Sequence, residues 1–355
     1  MGARGRTFGA GLIAIAVCAL APAAQAAEPR DPFYGVVVQH GDLSETELTK
    51  MERADVGTVR FLVPWAQIEP VEGDLRFDRL DERLAEIEEI GAAPLPVLYG
   101  RPGWLGDGNG RRPPLEDDAA RAAWQELLFA LGERYGHDGE LATADPAFRP
   151  VDRWQVWNEP NLPSFWFGEE PTAAHYVDLL QISTEALRAA DPESRIIAAG
   201  LSPAPKGVPP RRYLREMYAE YERLGAEPDF DELALNPYAP SVRESREQVG
   251  KFSRLAARLE PLDPPDLSIS EIGWGSSGPK RGLVSGTRKT QSRRLRRAYR
   301  ILRAKREEWR ISSVLWYAWK DLPEGTGCVI CDYVGLFNAE GKAKPAFKAF
   351  RDMNR

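Results

Sequence analysis

The chain has 355 residues, of which 43% are hydrophobic and 28% charged, a composition typical of globular proteins and unlike that of disordered or collagen-like chains. Its 47 basic and 53 acidic residues give a net charge of -6, which argues against sequence-independent binding of nucleic acid because such binding needs a basic surface. The length is compatible with two domains or with one large barrel.

The first 26 residues form a segment of their own. Arg4 and Arg6 precede an apolar stretch, Leu12 to Leu20, which is too short to cross a bilayer. Ala24-Gln25-Ala26 matches the A-x-A pattern of a cleavage site. The sequence therefore predicts a secretory signal peptide cleaved near Ala26, a protein secreted to the extracellular space or periplasm, and no membrane span.

The rest of the chain repeats one pattern, in which a short apolar run rich in β-branched residues is followed by a loop and then by a polar helix with apolar spacing. Eight strands are predicted in chain order: Tyr34–Gln39, Thr58–Val63, Pro94–Leu98, Arg153–Trp157, Arg195–Ala199, Glu232–Leu235, Asp266–Ile269 and Ser312–Tyr317. The first helix begins with a capping box at Ser44 and Glu47, and the second is capped by Asp78 and ended by Gly91. Further helices are predicted approximately over 117–135, 172–190, 210–224, 244–259, 287–308 and 345–352.

Strict alternation of strand and helix requires parallel strands, because each helix returns the chain to the same edge of the sheet. Eight such units close a (β/α)8 barrel, so the predicted fold class is α/β, with a single TIM barrel over residues 27–355. The alternative is an open doubly wound sheet, but no Gly-rich phosphate-binding turn follows Gln39 or Val63. The basic run from Arg293 to Arg306 has helical spacing and is interpreted as the solvated face of a helix.

Two glutamates stand where apolar strands reach the mouth of the predicted barrel, which is where TIM-barrel enzymes carry their chemistry. Strand four ends in W-N-E-P-N, which contains Glu159, and strand seven ends in S-E-I-G-W, which contains Glu271. Cleavage of a glycosidic bond needs one carboxylic acid to protonate the leaving oxygen and a second carboxylate to attack, or to activate water at, the anomeric carbon. One such glutamate could simply pair with an arginine at the barrel rim, but two in this context favour the chemical role.

These two motifs resemble those of the retaining glycoside hydrolases of clan A, and the resemblance extends over most of the chain after the signal peptide. Within the clan the pattern is most similar to family 39 and related secreted enzymes, because His40 ends strand one and W-Y-A-W-K-D ends strand eight. Asn236-Pro237-Tyr238 stands where many relatives have His-Pro-Tyr, so the subfamily and the substrate stay open. The matching positions outside the two motifs are Arg60 in V-R-F, Trp65 with Ile68-Glu69-Pro70 and Gly73, Tyr238, and Trp319 with Asp321.

The resemblance implies a role for each matching residue. Glu159 is the expected acid/base and Glu271 the expected nucleophile of a double displacement. Asn158 is expected to hydrogen-bond the sugar 2-hydroxyl, while Arg60 and Tyr238 hold Glu271 ionised. Trp157 and Trp166 could desolvate Glu159 and so raise its pKa. The other expected substrate-binding or supporting residues are His40, Trp65, Asn236, Trp274 and Trp319.

Aromatic residues follow several strands on the predicted mouth side, where flat rings can stack on sugars. This set predicts a carbohydrate groove in which Trp319 is the strongest individual candidate. In contrast, Trp124 and Trp309 lie in predicted helices and are expected in the core. The mouth-side set consists of Trp65, Tyr99, Trp104, Trp166, Trp274 and Trp319.

The sequence therefore predicts a secreted retaining O-glycoside hydrolase that acts on a polysaccharide or glycoside without a cofactor. No metal is expected, because His137 and His175 form no ligand set. Cys328 and Cys331 are expected to form a small loop disulfide, because export favours disulfides and two thiols alone make an incomplete zinc site. Two alternatives stay open: a catalytically inactive carbohydrate-binding barrel, and a transglycosylase that uses the same glycosyl-enzyme chemistry.

Overall fold

A computed structural model describes residues 27–354 apart from 40–42, 107–109, 146, 168–170, 204, 279–284, 324–327 and 329. The predicted signal peptide and His40 lie outside the described residues. Within the described part of the chain, no helix has the length and apolar character needed to cross a membrane.

Eight parallel strands close into a barrel in which each strand pairs with the next and the last pairs with the first, so the predicted (β/α)8 fold is confirmed. The seventh strand continues to Ile272 instead of ending at the predicted Ile269. Its extension contains Ser270 and Glu271, whose polar side chains hydrogen-bond other residues inside the barrel. The strands are β1 Tyr34–Val38, β2 Thr58–Pro64, β3 Ala93–Tyr99, β4 Arg153–Val156, β5 Arg195–Leu201, β6 Glu232–Leu235, β7 Asp266–Ile272 and β8 Ile311–Trp316.

Helices cover the outside of the barrel. The capping box of the first helix is confirmed, since Ser44 and Glu47 each accept a hydrogen bond from the other's backbone N–H. Asp78 does not cap the third helix; it is the first helical residue, where its charge favours the helix dipole. The helices are α1 Glu45–Arg53, α2 Trp65–Ile68, α3 Asp78–Glu89, α4 Asp118–Tyr135, α5 Glu140–Ala144, α6 Ala173–Ala190, α7 Pro210–Leu224, α8 Val242–Leu259, α9 Arg288–Ala304 and α10 Pro345–Asn354.

The inside of the barrel is filled with side chains. Val37, Leu95, Ile197, Ala234 and Leu315 form one buried apolar cluster, with one residue from each of five strands. A filled barrel has no passage along its axis, so a substrate reaches polar groups only at the two ends.

A buried polar cluster closes the end of the barrel where the strands begin. Arg153 donates from Nε and Nη2 to the two carboxylate oxygens of Glu232, at 2.9 and 2.6 Å, and Ser312 Oγ donates to the same carboxylate at 2.7 Å. Glu232 is 1% exposed. Burial raises the pKa of Glu232, but the charge of Arg153 and the hydrogen bond from Ser312 outweigh burial and bring this pKa below its ordinary value.

We expect Glu232→Ala to lower the free energy of unfolding by about 3–5 kcal/mol, because it leaves the Arg153 guanidinium without its partner in a mostly buried position. Since the pKa of Glu232 is lowered on folding, the stabilisation is present at neutral pH and is lost as the pH falls through the folded-state pKa. Urea unfolding at pH 7 and pH 4 measures both effects. Glu247→Ala, at an exposed pair with Arg243, is the matched control; an equal loss there would contradict this prediction.

Candidate active site

The two predicted catalytic glutamates lie at the ends of β4 and β7, at the mouth of the barrel. Glu271 is on β7 itself, whereas Glu159 lies in the turn that follows β4. Trp157 and Glu159 both have left-handed backbone, with φ of 63° and 48°, a conformation that costs a non-glycine residue energy. Trp157 Nε1 donates to the carbonyl of Phe165 at 2.9 Å, a contact that helps to hold this strained turn.

Glu271 is held by one ion pair and one hydrogen bond. Arg60 Nη1 lies 2.7 Å from Oε1 of Glu271, and the hydroxyl of Tyr238 donates to Oε2 at 2.7 Å. Burial, and then the charge of Glu271, raise the pKa of Tyr238 well above its usual value, so the phenol stays a donor. Because the two contacts are made to separate oxygens, they fix the orientation of the carboxylate. The structure thus brings Arg60 and Tyr238 into direct contact with Glu271.

Arg60 also connects Glu271 to β4. Its Nε donates to Gln155 Oε1 at 2.9 Å, and its Nη2 donates to Asn158 Oδ1 at 2.8 Å. Gln155 in turn donates from Nε2 to the carbonyls of Trp157 and Ala199, at 2.9 and 2.6 Å. Gln155 was not predicted as a site residue. The available signal was an uncharged polar side chain inside an apolar strand, which must find partners when it is buried.

Glu159 accepts a hydrogen bond from the side chain of Asn236, which is itself oriented by Ser270. The Asn236 Nδ2 group donates to Oε1 of Glu159 at 2.9 Å, while Ser270 Oγ donates to Asn236 Oδ1 at 2.7 Å. The Ser270 hydroxyl thus fixes which end of the amide faces Glu159. Oε1 of Glu159 therefore accepts a hydrogen bond that favours the ionised form of this carboxyl. Ser270 was predicted only as part of the motif around Glu271.

The environment of Glu159 favours its neutral form. Burial raises the pKa of Glu159, and the negative charge of Glu271 raises it further. Hydrogen bonds from Asn236 and Ser202, together with the charge of Arg60, oppose this shift without reversing it. Glu159 therefore remains protonated at a higher pH than an ordinary glutamate does.

Most of the predicted sugar-stacking rings are buried. Trp65, Trp166, Trp274 and Trp319 are each at most 2% exposed, so the expectation that they offer open faces is wrong. The Trp65 and Trp274 indoles donate to the Glu69 carboxylate and the Ala239 carbonyl, at 2.7 and 2.9 Å. Trp319 packs on Phe337 with ring centroids 4.7 Å apart. These four rings belong to the buried hydrophobic core, and only Tyr99 and Trp104 of the predicted set are partly exposed.

The other predicted residues have separate positions. Trp124 and Trp309 are buried, as expected for the core. Cys328 and Cys331 are joined by a disulfide, and the Tyr317 hydroxyl lies 3.1 Å from Cys331 Sγ. No group of three or more histidine, cysteine, aspartate or glutamate side chains that could hold a metal ion occurs among the residues that the structure describes.

No family model and no curated protein matches the sequence. Solved structures do match: a family 39 glycoside hydrolase from the gut symbiont Bacteroides cellulosilyticus WH2 aligns with 92% of this chain and 64% of its own, at 18% identity and a TM-score of 0.66. A monomeric β-xylosidase from Caulobacter crescentus CB15 aligns with 93% of this chain and 69% of its own, at 18% identity and a TM-score of 0.63. A psychrophilic family 10 endo-β-1,4-xylanase aligns with 91% of this chain and 97% of its own, at 15% identity and a TM-score of 0.60.

These likenesses confirm, at the level of the fold, the resemblance to clan A glycoside hydrolases. The chain spans about 64% of the length of the Bacteroides enzyme, so that protein has further residues outside the aligned barrel.

Proposed function

We propose that this protein is a secreted retaining O-glycoside hydrolase that cleaves a polysaccharide or glycoside by double displacement. The observation that carries the proposal is the contrast between its two mouth carboxyls. Glu271 is held in place by a guanidinium and a phenol, as a nucleophile needs to be, whereas burial and the charge of Glu271 raise the pKa of Glu159, which favours an acid. The similar solved structures are those of a family 39 glycoside hydrolase, a β-xylosidase and a xylanase, which supports the same reaction class.

In the first step, a carboxylate oxygen of Glu271 attacks the anomeric carbon while the carboxyl proton of Glu159 moves to the glycosidic oxygen. The bond between the anomeric carbon and that oxygen breaks, and the leaving group departs as an alcohol. The Oδ1 atom of Asn158 accepts a hydrogen bond from Arg60, so the Nδ2 group of Asn158 is left to donate to the sugar 2-hydroxyl. That contact strengthens as the ring gains oxocarbenium character.

In the second step, Glu159 acts as a base. Formation of the ester removes the negative charge of Glu271, which is one of the causes that raise the pKa of Glu159. The hydrogen bond from Asn236, which favours the ionised form, remains. Glu159 therefore accepts a proton from the water that attacks the anomeric carbon, and the ester bond to Glu271 breaks to release the sugar.

Secretion is part of the same proposal. Residues 1–26 have the charged start, short apolar stretch and A-x-A site of a signal peptide. The Cys328–Cys331 disulfide supports an oxidising compartment. Mass spectrometry of protein secreted by an expressing bacterium tests cleavage after Ala26; a product that retains residues 1–26 in the cytosol would contradict it.

The decisive experiment is a screen of the purified protein against aryl glycosides and polysaccharides, with NMR of the first anomer released. We expect turnover with retained configuration, and inversion would overturn the double displacement. Sugar binding without turnover would favour the inactive carbohydrate-binding barrel. Transfer of the glycosyl group to an added sugar in preference to water would favour the transglycosylase.

We expect Arg60→Lys to lower kcat by about 10²-fold or more, because a lysine ammonium cannot replace the three-way contact with Gln155, Asn158 and Glu271. KM should change much less, since Arg60 acts through the groups it holds. Steady-state kinetics and a thermal melt check both points. Arg243→Lys, on the exposed side of α8, is the matched control, and a kcat within twofold of wild type for Arg60→Lys would refute the role.

A further inference from the structure

The outer surface of α9 carries a concentration of cations that the proposed reaction does not use. The chain is acidic overall, yet residues 285–306 contain no aspartate or glutamate. Six cations of this helix line a groove that extends to Pro345, where α10 begins. This set, the α9 cationic face, consists of Arg288, Lys289, Arg293, Arg296, Arg297 and Arg300.

These cations have little acidic compensation. Among the described residues, only Arg296 of the six has an acidic partner, Asp352, with Nη2 and Oδ2 3.3 Å apart. The other five all have exposed side chains: Arg288, Lys289, Arg293, Arg297 and Arg300. Their charges are therefore available to a ligand.

The arrangement is unfavourable for the helix itself. Lys289, Arg293 and Arg297 follow one another at four-residue intervals, where like charges face each other and repel. Arg288 and Lys289 also lie in the first turn, where positive charge opposes the helix dipole. A surface that breaks local rules of helix stability in this way is typical of a binding site, where a ligand supplies the missing opposite charge.

The geometry of the face fits an extended ligand. Residues 288 and 300 are separated by about 18 Å along the axis, at the usual rise of an α-helix. The beginning of α9 lies on the mouth side of the barrel, because helices return antiparallel to the strands. Gly286, just before α9, lies so close to Gly275, four residues beyond Glu271, that a Cβ at position 286 would come within 2.7 Å of the Gly275 carbonyl oxygen. One end of the face therefore adjoins the rim of the candidate active site.

The composition of the face distinguishes between classes of polyanion. None of the large exposed hydrophobic side chains of the described residues lies on α9 or α10, so the face has nothing to insert into a bilayer. It also has no exposed aromatic ring on which the bases of a single-stranded nucleic acid could stack. Guanidinium groups do pair well with carboxylates and similar planar or multi-oxygen anions.

We propose that the α9 cationic face binds a linear anionic polysaccharide and holds it beside the mouth of the barrel. The presentation of that chain to Glu159 and Glu271 rests on the proposed function, but the binding itself does not. The net charge of the protein sets the long-range field, whereas the local cluster decides contact at distances within the screening length of the solvent.

The test measures binding of the full chain to polygalacturonate by calorimetry, with fully methyl-esterified polygalacturonate as the uncharged comparison. We expect binding of the charged polymer only, and affinity about tenfold weaker when salt is raised from 0.05 to 0.5 M. The triple variant Arg293→Gln, Arg297→Gln, Arg300→Gln should lose about tenfold or more in affinity. The matched control, Arg211→Gln, Arg212→Gln, Arg215→Gln on the exposed side of α7, removes the same charge and should bind within twofold of wild type.

Three results would overturn the proposal: no binding of the charged polymer at low salt, an equal loss in both triple variants, or tighter binding of single-stranded DNA or anionic vesicles than of polygalacturonate. Because the readout is binding, a protein that holds polygalacturonate without cleaving any glycoside would refute the hydrolase alone. Dextran sulfate, used in parallel, distinguishes recognition of sulfate from recognition of carboxylate.

Discussion

Replacement of Glu271 by alanine is expected to lower the turnover of every glycoside substrate by about 10⁴-fold or more, because the covalent intermediate can no longer form. The variant leaves the buried Arg60 without its ion-pair partner and should lower stability, but Arg60 keeps its hydrogen bonds to Gln155 and Asn158, so the barrel should still fold. Steady-state kinetics on an aryl glycoside measures the loss, and circular dichroism reports the fold.

Azide provides a positive signal from the same variant. The space vacated by the Glu271 carboxylate admits a small anion that can attack the anomeric carbon directly, and a single displacement then gives a glycosyl azide of inverted configuration. Glu271→Gln is the matched control, because it fills the space without supplying a nucleophile and should not be rescued. Residual activity of Glu271→Ala above about one per cent would assign the nucleophile to another residue.

Each of the two mouth carboxyls is held in part by residues from the strand that carries the other carboxyl. Arg60 ties Glu271, on β7, to Gln155 and Asn158 of the β4 segment. Ser270, on β7, orients the Asn236 amide that contacts Glu159 after β4. A shift of either strand therefore displaces both carboxyls, and the loss caused by changing Gln155 and Ser270 together should not equal the sum of the separate losses.

Much of this arrangement was predictable because it follows local sequence pattern. Alternation of apolar runs and helices predicts the barrel, and a barrel brings the ends of β4 and β7 to the same face. Glu159 and Glu271 could be placed there because Glu159 comes three residues after β4 and Glu271 is the last residue but one of β7. A local sequence pattern describes only neighbouring residues, so it cannot predict contacts between residues that are far apart in the chain.

Features that depend on distant contacts were not predictable. Gln155 meets Arg60 across 95 residues of sequence, and Ser270 meets Asn236 across 34, so no local pattern indicates either contact. Trp319 follows its strand as expected, but Phe337 and Phe347 cover the ring, and the sequence beside Trp319 does not predict that cover.

The basic run on α9 was correctly predicted as an exposed helix face. The sequence does not predict the groove that these cations line together with Pro345, because α9 and α10 are far apart in the chain.

Replacement of Glu159 by glutamine is expected to separate substrates by the quality of their leaving groups. A poor leaving group needs the proton from Glu159, so kcat/KM for an alkyl glycoside should fall by about 10²–10⁴-fold. A dinitrophenyl glycoside leaves without that proton, so the first step should be nearly unchanged for it while the second step, which needs a base, becomes slow. Burst kinetics should therefore show accumulation of the glycosyl-enzyme ester in the variant.

The pH profile tests the same assignment independently. Because burial and Glu271 raise the pKa of Glu159, the wild-type kcat/KM should persist above the ordinary glutamate range and fall as the pH rises through that raised pKa, where the acid form is lost. Glu159→Gln should lack this alkaline limb. Asn236→Ala removes a donor to the ionised form and should move the limb to higher pH, whereas an unchanged limb in both variants would assign the acid to a different group.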